Sequence, residues 1–331
     1  MNLFCKNSQS DPFGILVAAA NVARKSKFVF INEDKLDIVA AAVGKKLKSG
    51  LESAETSFWS AGNFEDDLRL VFFEDAVNFS FWNGAGMPQW RITYPEGVQA
   101  NGGWYSLVAG FRRTIEEGIP VLDAEFASKL TLDQCRKIFA GDGGVDIPMV
   151  EARQNNLNEA GKILLKNYSG RFLMLLQKAD FDAVKIVKFL YEEFPSFRDE
   201  AVYKNEKILF LKRAQICASD INYVVEKYGE RPIANLDGLT AFADYKLPQI
   251  LRKFGAIGYA DGLAQKIDGF VSIKSGSPEE VEIRAAAIWC VELIRYRLKI
   301  YTAAQIDNAL WLMSQDQAGV KPFHRCRTIF Y

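Results

Sequence analysis

The segment from Leu239 to Gln249 places one carboxylate, Asp244, between two aromatic side chains and just ahead of a rigid Leu-Pro step. The aromatic residues are Phe242 and Tyr245. An acid in this setting is expected to lose contact with water, which makes its proton or its charge available for chemistry. The same spacing also suits a simpler role, in which Asp244 caps a helix that begins near Lys246. Spacing alone favours the cap.

The composition limits which chemistry is available. The 331 residues include 41 basic and 41 acidic side chains, so the formal net charge is zero. Because proteins that track duplex nucleic acid usually carry a basic surplus, this balance favours a small substrate. His324 is the single histidine, which is too few for a two-histidine zinc site or an iron triad. There is also no P-loop and no Gly-x-Gly-x-x-Gly motif. If the protein is an enzyme, carboxylates are expected to carry its chemistry.

The cysteines and the N-terminal residues predict a cytoplasmic protein. Five cysteines stand at positions 5, 135, 217, 290 and 326 with no close pair, which favours reduced thiols over a disulfide framework or a zinc site. The first residues lack a basic start followed by a long apolar run, and the apolar stretch 15–23 is too short to span a bilayer. No membrane partner is expected.

Helical periodicity dominates the chain and predicts a mostly α fold with a small β element. A cap at Ser277, followed by proline and two acids, and a capping box at Thr131 mark two helix starts. Nine helices are predicted, over 13–24, 34–47, 104–117, 132–139, 148–166, 181–193, 208–228, 278–299 and 302–314.

Extended structure is predicted in two places, where alternation fits better than a helical period. These are Leu68–Phe73 and Trp90–Tyr94. For the first, a single buried helix over Asp67–Phe81 is an equal alternative. The region Asn83–Gly103, rich in proline and glycine, is interpreted as an irregular excursion with a short hairpin.

Several separated blocks carry a resemblance to a known family. In this order, and reaching the last residue, they resemble the queuosine salvage proteins, a family of queuosine 5'-phosphate N-glycosylase/hydrolases. The resemblance covers the whole chain. The blocks are Val77–Asn83, Phe210–Gln215, Phe242–Asp244 with Leu247–Gln249, Glu282–Ala285 and His324–Tyr331.

The resemblance implies one domain over residues 1–331, with possible sub-domains 1–145 (N-terminal, helical with a short β element) and 146–331. The second would be similar to the helix-hairpin-helix DNA glycosylases. Their Leu-Pro-Gly-x-Gly hairpin is absent, and Leu247-Pro-Gln249 stands in a comparable place without the glycines that let backbone amides approach a DNA phosphate. This departure fits a nucleotide better than duplex DNA.

The resemblance also assigns roles. Asp244 would stabilise or trap an oxocarbenium-like sugar, or activate water, and Phe242 would stack on the base. Asp307, Trp311 and Asp316 would bind the base, queuine. Queuine carries an ammonium group on its side arm and a guanine-like edge of hydrogen-bond donors, and both favour hydrogen-bond acceptors in the protein. Asp307 and Trp311 share a face at i,i+4 spacing, whereas Asp316 joins them only if the helix ends first. The alternative is a solvated helix with one buried tryptophan.

The 5'-phosphate requires cations, for which Lys212, Arg213, Arg325 and Arg327 are available. Lys212 and Arg213 diverge by about 100° on a helix, so they do not easily face one phosphate. Arg213 has an alternative role as the partner of a buried acid, Glu282 or Glu292. Tyr245, Asn78 and Trp82 complete the expected substrate-binding set, although an aromatic cluster like the one around Trp82 is more often core.

The leading hypothesis is therefore a cytoplasmic N-glycosidase that cleaves queuosine 5'-phosphate, and possibly queuosine, and releases queuine for salvage into tRNA modification. It would need no metal or organic cofactor and would not bind nucleic acid directly. A histidine associated with base contact in some family members has no match in the N-terminal third. The alternatives are a helix-hairpin-helix-like DNA repair glycosylase and a non-enzymatic helical adaptor. The sequence leaves the oligomeric state open.

Overall fold

The structure, a computed structural model, describes residues 11–50, 59–96, 98, 102–316 and 318–331. Within these ranges it contains fourteen α-helices and two small antiparallel sheets of two strands each, which confirms the predicted mostly α fold with a small β element. The helices are α1 (Ile15–Lys25), α2 (Leu36–Lys48), α3 (Phe64–Ala76), α4 (Trp104–Glu116), α5 (Ala124–Ser128), α6 (Leu132–Ile138), α7 (Val150–Tyr168), α8 (Phe172–Lys178), α9 (Ala183–Glu193), α10 (Lys212–Lys227), α11 (Lys246–Lys253), α12 (Asp261–Asp268), α13 (Pro278–Leu298) and α14 (Ala303–Met313).

The chain divides into two compact units, and each is built from separated segments. The first unit comprises the described residues of Met1–Glu52, Asp199–Gln215 and Asn235–Arg327, and the second those of Ser53–Arg198, Ile216–Ala234 and Thr328–Tyr331. Both units draw on residues from either side of position 145, so they do not coincide with the predicted sub-domains 1–145 and 146–331. The domain assignment and the similarity to helix-hairpin-helix glycosylases stay predictions.

Helix α13 forms the centre of the first unit. It contacts α1, α2, α11 and α14. Most of its residues are buried, on every side of the helix, as expected for a helix surrounded by other elements rather than facing solvent. Ser277 caps its start by accepting a hydrogen bond from the backbone N–H of Glu280, as predicted. Both sheets belong to this unit: β1 (Val29–Ile31) pairs with β4 (Ile257–Tyr259), and β2 (Glu200–Tyr203) pairs with β3 (Glu206–Leu209).

Helix α7 has the corresponding place in the second unit, where it contacts α3, α5, α6 and α8. Phenylalanine rings fill the space beside α3: the Phe72 ring stacks on that of Phe172 at 4.4 Å and meets that of Phe194 edge-on at 5.4 Å. Aromatic pairs of this kind add to the free energy gained from apolar burial. The capping box predicted at Thr131 is present and starts α6.

The predicted strand Leu68–Phe73 is wrong, because these residues lie in α3. The alternative of a helix over Asp67–Phe81 gives the correct type, but the helix ends at Ala76. Every residue from Leu70 to Ala76 is buried, so neither a two-residue nor a helical period is visible in this stretch. The stronger signal was the helix start, where Asn63 accepts a hydrogen bond from the N–H of Asp66.

The predicted strand Trp90–Tyr94 is also wrong. Its alternation is real, since Trp90 and Ile92 are buried and their neighbours are not. However, the backbone N–H of Ile92 donates to the hydroxyl of Ser106 instead of a strand partner. No hairpin occurs in the described part of 83–103. The predicted helix 208–228 begins only at Lys212, because Ile208 lies in β3.

Candidate active site

Asp244 caps helix α11, as the sequence favoured. Its Oδ1 accepts hydrogen bonds from the backbone N–H groups of Lys246 at 2.7 Å and Leu247 at 2.9 Å. Its side chain is only partly exposed, and burial raises the pKa of its carboxyl. The positive charge of Lys212, the two backbone hydrogen bonds and the charge of Lys246 all oppose this rise in pKa. The carboxyl is therefore both a helix cap and a perturbed acid.

Three buried side chains from three helices fix the backbone that leads to Asp244. Each one binds a different peptide group of the segment, so the position of the carboxyl follows from the packing of α10, α13 and α14. The bonds run from the Thr240 N–H to Gln215 Oε1 (2.7 Å), from the Phe242 N–H to Asp307 Oδ1 (2.9 Å) and from Arg284 Nε to the Ala243 carbonyl oxygen (3.1 Å).

A buried ion pair extends this arrangement to the start of α10. The guanidinium of Arg284 donates two hydrogen bonds to the carboxylate of Asp199, at 2.8 and 2.6 Å, and both side chains are 2% exposed. The same carboxylate accepts a bond from the backbone N–H of Lys212 at 2.9 Å. The pair thus connects the residue before Asp244 to the first residue of α10.

Asp307 is the second acid of the site. Burial, followed by the negative charge of Asp244, raises its pKa well above the ordinary value, although the Phe242 N–H and the charge of Lys212 act in the opposite direction. Two neighbouring carboxyls that share little solvent do not readily ionise together. When the two carboxyls share one proton, the arrangement therefore favours that proton on Asp307 and the charge on Asp244.

Four other predicted residues belong to the first unit, and their roles in substrate binding stay predictions. Lys212 is buried, and its charge acts on both. Arg213 is buried as well. The Tyr245 ring lies 4.6 Å from that of Phe323. Trp311 is half-buried on α14, four residues after Asp307.

Asp316 was expected to join Asp307 and Trp311 only if the helix ends before it, and α14 does end at Met313. It is exposed, pairs with Lys253 at 3.6 Å and accepts a hydrogen bond from the Ala318 N–H. This N–H bond and the charge of Lys253 lower its pKa. Its contact with the base stays a prediction.

Asn78 and Trp82 belong to the second unit, where both are buried. The side-chain amide of Asn78 donates to Oδ1 of Asp75 at 3.1 Å. Their role as pocket lining stays a prediction.

Of the two C-terminal arginines, Arg325 lies 4.6 Å over the ring of Phe270, and burial lowers the pKa of both Arg325 and Arg327.

Sequence reasoning gave no role to Arg284, Asp199 or Gln215. One signal was available for the first: an arginine inside the apolar run Ile283–Ile288 requires a buried acid or carbonyl partner. Nothing in the local sequence identifies Asp199 as that partner. The acids proposed for Arg213 have other contacts, since Glu292 pairs with Arg295 at 2.6 Å and Glu282 accepts a bond from the Tyr203 hydroxyl at 2.8 Å.

Two classes of feature are absent from the described part of the chain. It contains no group of three or more His, Cys, Asp or Glu side chains arranged to hold a metal ion. It also contains no helix that is long and apolar enough to cross a bilayer.

Comparisons with known proteins point to one family. A family model described as queuosine salvage protein matches residues 56–331. Three curated relatives are each named queuosine 5'-phosphate N-glycosylase/hydrolase. The one from Sphaerobacter thermophilus is 38% identical over 326 residues, covering 97% of this chain and 98% of the relative. The one from Mus musculus is 39% identical over 285 residues (82% and 83%), and the one from Bos taurus is 35% identical over 335 residues (95% and 97%).

Proposed function

The chain belongs to the queuosine salvage protein family, and we propose that it hydrolyses the N-glycosidic bond of queuosine 5'-phosphate with Asp244 as the central carboxylate. The reaction releases queuine, which is then available for tRNA modification. The observation that carries the role of Asp244 is the setting of its partly exposed carboxyl. Burial raises the pKa of this carboxyl, whereas Lys212 and two helix amides favour its charged form.

The bond between C1' and the base nitrogen breaks through an oxocarbenium-like sugar, which an ionised carboxylate stabilises. Oδ1 of Asp244 accepts hydrogen bonds from both helix N–H groups, those of Lys246 and Leu247. We therefore assign Oδ2 to face C1', where it stabilises or traps the sugar cation. Water supplies a hydroxyl to C1' and a proton to the departing base, so that the products are queuine and ribose 5-phosphate.

Asp307 suits the base side of this reaction. A protonated carboxyl offers one donor and one acceptor, and a guanine-like edge presents both kinds of partner. Because queuine is a 7-deazapurine, protonation at N7 cannot assist its departure, and hydrogen bonds at other base atoms gain importance. We assign Phe242, whose N–H donates a hydrogen bond to Asp307, to stack on the ring. Trp311, Tyr245 and Asp316 complete the proposed base site.

We propose that the protein acts in the cytoplasm on a small nucleotide and does not bind nucleic acid directly. The described cysteines support this proposal, because Cys135, Cys217, Cys290 and Cys326 are buried and form no disulfide. Burial raises the pKa of the Cys135 thiol to about 12, so it stays protonated and unreactive.

Incubation of the purified protein with queuosine 5'-phosphate, with free queuine followed by chromatography, tests the assignment. Asp244→Asn is expected to abolish release while the protein still folds and binds ligand. Asp261→Asn, which changes an exposed acid in the first turn of α12, is the matched control and should keep full activity. Turnover retained by Asp244→Asn would refute the role of this carboxylate.

The pH dependence offers a second test. Because catalysis needs the ionised form of Asp244 and burial raises its pKa above the ordinary value of 3.8, kcat/KM should fall on the acid side before pH 3.8 is reached. A rate that is constant down to pH 4 would contradict the argument.

A further inference from the structure

The chain that follows α14 returns along one face of helix α11. That face consists of Lys246, Gln249 and Lys253, which stand at i, i+3 and i+7 on the helix. Lys253, at the end of α11, pairs with Asp316 at 3.6 Å. In the middle of the helix, Nε2 of Gln249 donates a hydrogen bond to the carbonyl oxygen of Lys321 at 2.8 Å. The chain therefore runs from the end of α11 back towards its start.

Phe323 is the residue that this run brings to the start of α11. Its ring lies 4.6 Å from the ring of Tyr245, and Nζ of Lys246 lies 5.5 Å from its centroid. Tyr245 and Lys246 directly follow Asp244, whose Oδ1 accepts the first N–H groups of the helix. Residues 318–323, here called the return segment, thus place an aromatic ring against the two residues next to the proposed catalytic carboxyl.

Two contacts with α11 fix the register of the return segment. Gln249 is only 5% exposed, so its hydrogen bond to the Lys321 carbonyl lies largely out of water. Nζ of Lys321 lies 3.7 Å from the carboxylate of Asp268, which also accepts two hydrogen bonds from Arg252 of α11. Since Phe323 follows Lys321 by two residues, its place at the start of the helix depends on both contacts.

An apolar ring at this place limits the hydration of the charged groups beside it. Asp244 and Lys246 are only partly exposed. Burial raises the pKa of the Asp244 carboxyl and lowers that of the Lys246 ammonium, as expected where water has limited access to a charged group. A carboxylate also stabilises a nearby sugar cation more strongly where water is excluded. A cover over the start of α11 would therefore serve the proposed reaction.

We infer that Phe323 is a positioning residue whose ring, held in place through Gln249, excludes water from the start of α11 and so strengthens the action of Asp244 on the sugar cation. The inference rests on the proposed function, in which Asp244 faces C1'. It gives a role to two residues outside the set that the sequence offered, and it requires no contact between Phe323 and the substrate.

Three other helices bring a charged side chain towards Asp244 or the residue before it. They are Lys212 of α10, Arg284 of α13 and Asp307 of α14. A substitution at Phe323 alters none of these side chains. It does give Lys246 more water, which favours the charged ammonium, and this charge lowers the pKa of Asp244. Loss of the ring thus acts on Asp244 in one direction only.

The test compares the pH dependence of kcat/KM for queuosine 5'-phosphate in wild type, Phe323→Ala and Phe323→Tyr. Phe323→Ala should lower kcat/KM on the order of 10-fold at neutral pH, because water weakens the attraction between carboxylate and sugar cation. Its pKa for Asp244 should fall towards the ordinary value, so the variant keeps its ionised carboxylate at lower pH than wild type does. The deficit should therefore narrow as the pH is lowered to about 4. Phe323→Tyr keeps the ring and should restore the wild-type profile.

Gln249→Leu is a second variant, which removes the hydrogen bond to the Lys321 carbonyl and leaves the ring in the chain. It should change kcat/KM in the same direction as Phe323→Ala, with the same narrowing at low pH. Phe30→Ala is the matched control, because Phe30 is an exposed phenylalanine of the same unit, and it should leave the profile unchanged. An equal loss at every pH for Phe323→Ala would mean that the ring only supports the fold, and no loss at any pH would mean that it excludes no water that matters. Either result overturns the inference.

A titration without substrate separates this inference from the proposed function. In protein labelled with 13C at the aspartate carboxyls, the Asp244 resonance is identified by its absence from Asp244→Asn, and it should titrate at lower pH in Phe323→Ala than in wild type. If wild type releases no queuine but this difference is found, the proposed hydrolysis is wrong and the cover is right. If the resonance titrates identically in both proteins, the cover is wrong even where queuine is released.

Discussion

Replacing Asp199 by asparagine removes one charge from a buried ion pair and leaves Arg284 with less compensation. Both side chains are 2% exposed, and Arg284 has one further acid nearby, with Oε1 of Glu280 at 3.5 Å. Removal of one partner from a buried pair typically lowers the free energy of unfolding by about 3–5 kcal/mol. We expect Asp199→Asn to fall in this range and to leave a folded protein, given total stabilities of about 5–15 kcal/mol.

The double variant Asp199→Leu/Arg284→Met gives the more decisive result. Buried pairs can often be replaced by apolar side chains at little cost. Here, however, Asp199 also accepts the backbone N–H of Lys212, and Arg284 also donates to the carbonyl of Ala243. Each buried group that loses its partner costs about 1–3 kcal/mol. The double variant should therefore stay about 2–6 kcal/mol less stable than wild type.

Urea unfolding, followed by tryptophan fluorescence and by circular dichroism, measures both values if the two signals change together. The pair also positions the residue before Asp244, so queuine release by the double variant should fall even where the protein is fully folded. A double variant as stable and as active as wild type would show that the two backbone bonds contribute nothing, and the reasoning would be refuted.

Two further predictions concern Gly161 and Glu74 of the second unit, the first with a comparison variant in the first unit. In Gly161→Ala the new methyl group would lie 2.5 Å from the Ala124 carbonyl oxygen, so the variant should lose about 1–3 kcal/mol of stability. In Gly262→Ala the new methyl group has nothing within 4 Å, so this variant should gain up to about 1 kcal/mol. Equal urea midpoints for the two variants would contradict this prediction. Burial and the charge of Asp75 raise the pKa of Glu74 well above 4.5, so the folded state retains a proton that the unfolded state loses. Wild type should therefore lose stability relative to Glu74→Gln as the pH rises from 4.5. A difference in stability between the two proteins that does not depend on pH would exclude a raised pKa at Glu74.

The sequence predicted the local features of the site and missed the distant ones. The cap at Asp244 depends on residues two and three positions away, so its pattern is visible in the segment itself. The Arg284–Asp199 pair joins residues 85 positions apart, and nothing near Asp199 indicates its partner. Resemblance supplied Asp307, whose contact with Phe242 spans 65 positions and leaves no local pattern.

The same distinction explains the errors in secondary structure. Buried elements such as α3 lose their periodicity because the core covers them on more than one side. In Trp90–Tyr94 the alternation of burial is present, but the hydrogen bonds go to the Ser106 hydroxyl and to the loop residue Asp142. A two-residue period reports which side chains are buried and does not report what the backbone pairs with.

The three-helix anchoring of the segment before Asp244 has a consequence for how the protein folds. Its anchors are separated from the segment by 25, 41 and 65 positions along the chain. Closing such loops costs chain entropy before any of these hydrogen bonds is gained, so local helices form sooner than contacts of this length. In a refolding experiment, enzymatic activity should therefore recover later than the helical signal. In a nascent chain, the proposed catalytic carboxylate would not be held in position until α14 has been synthesised and has packed against the segment.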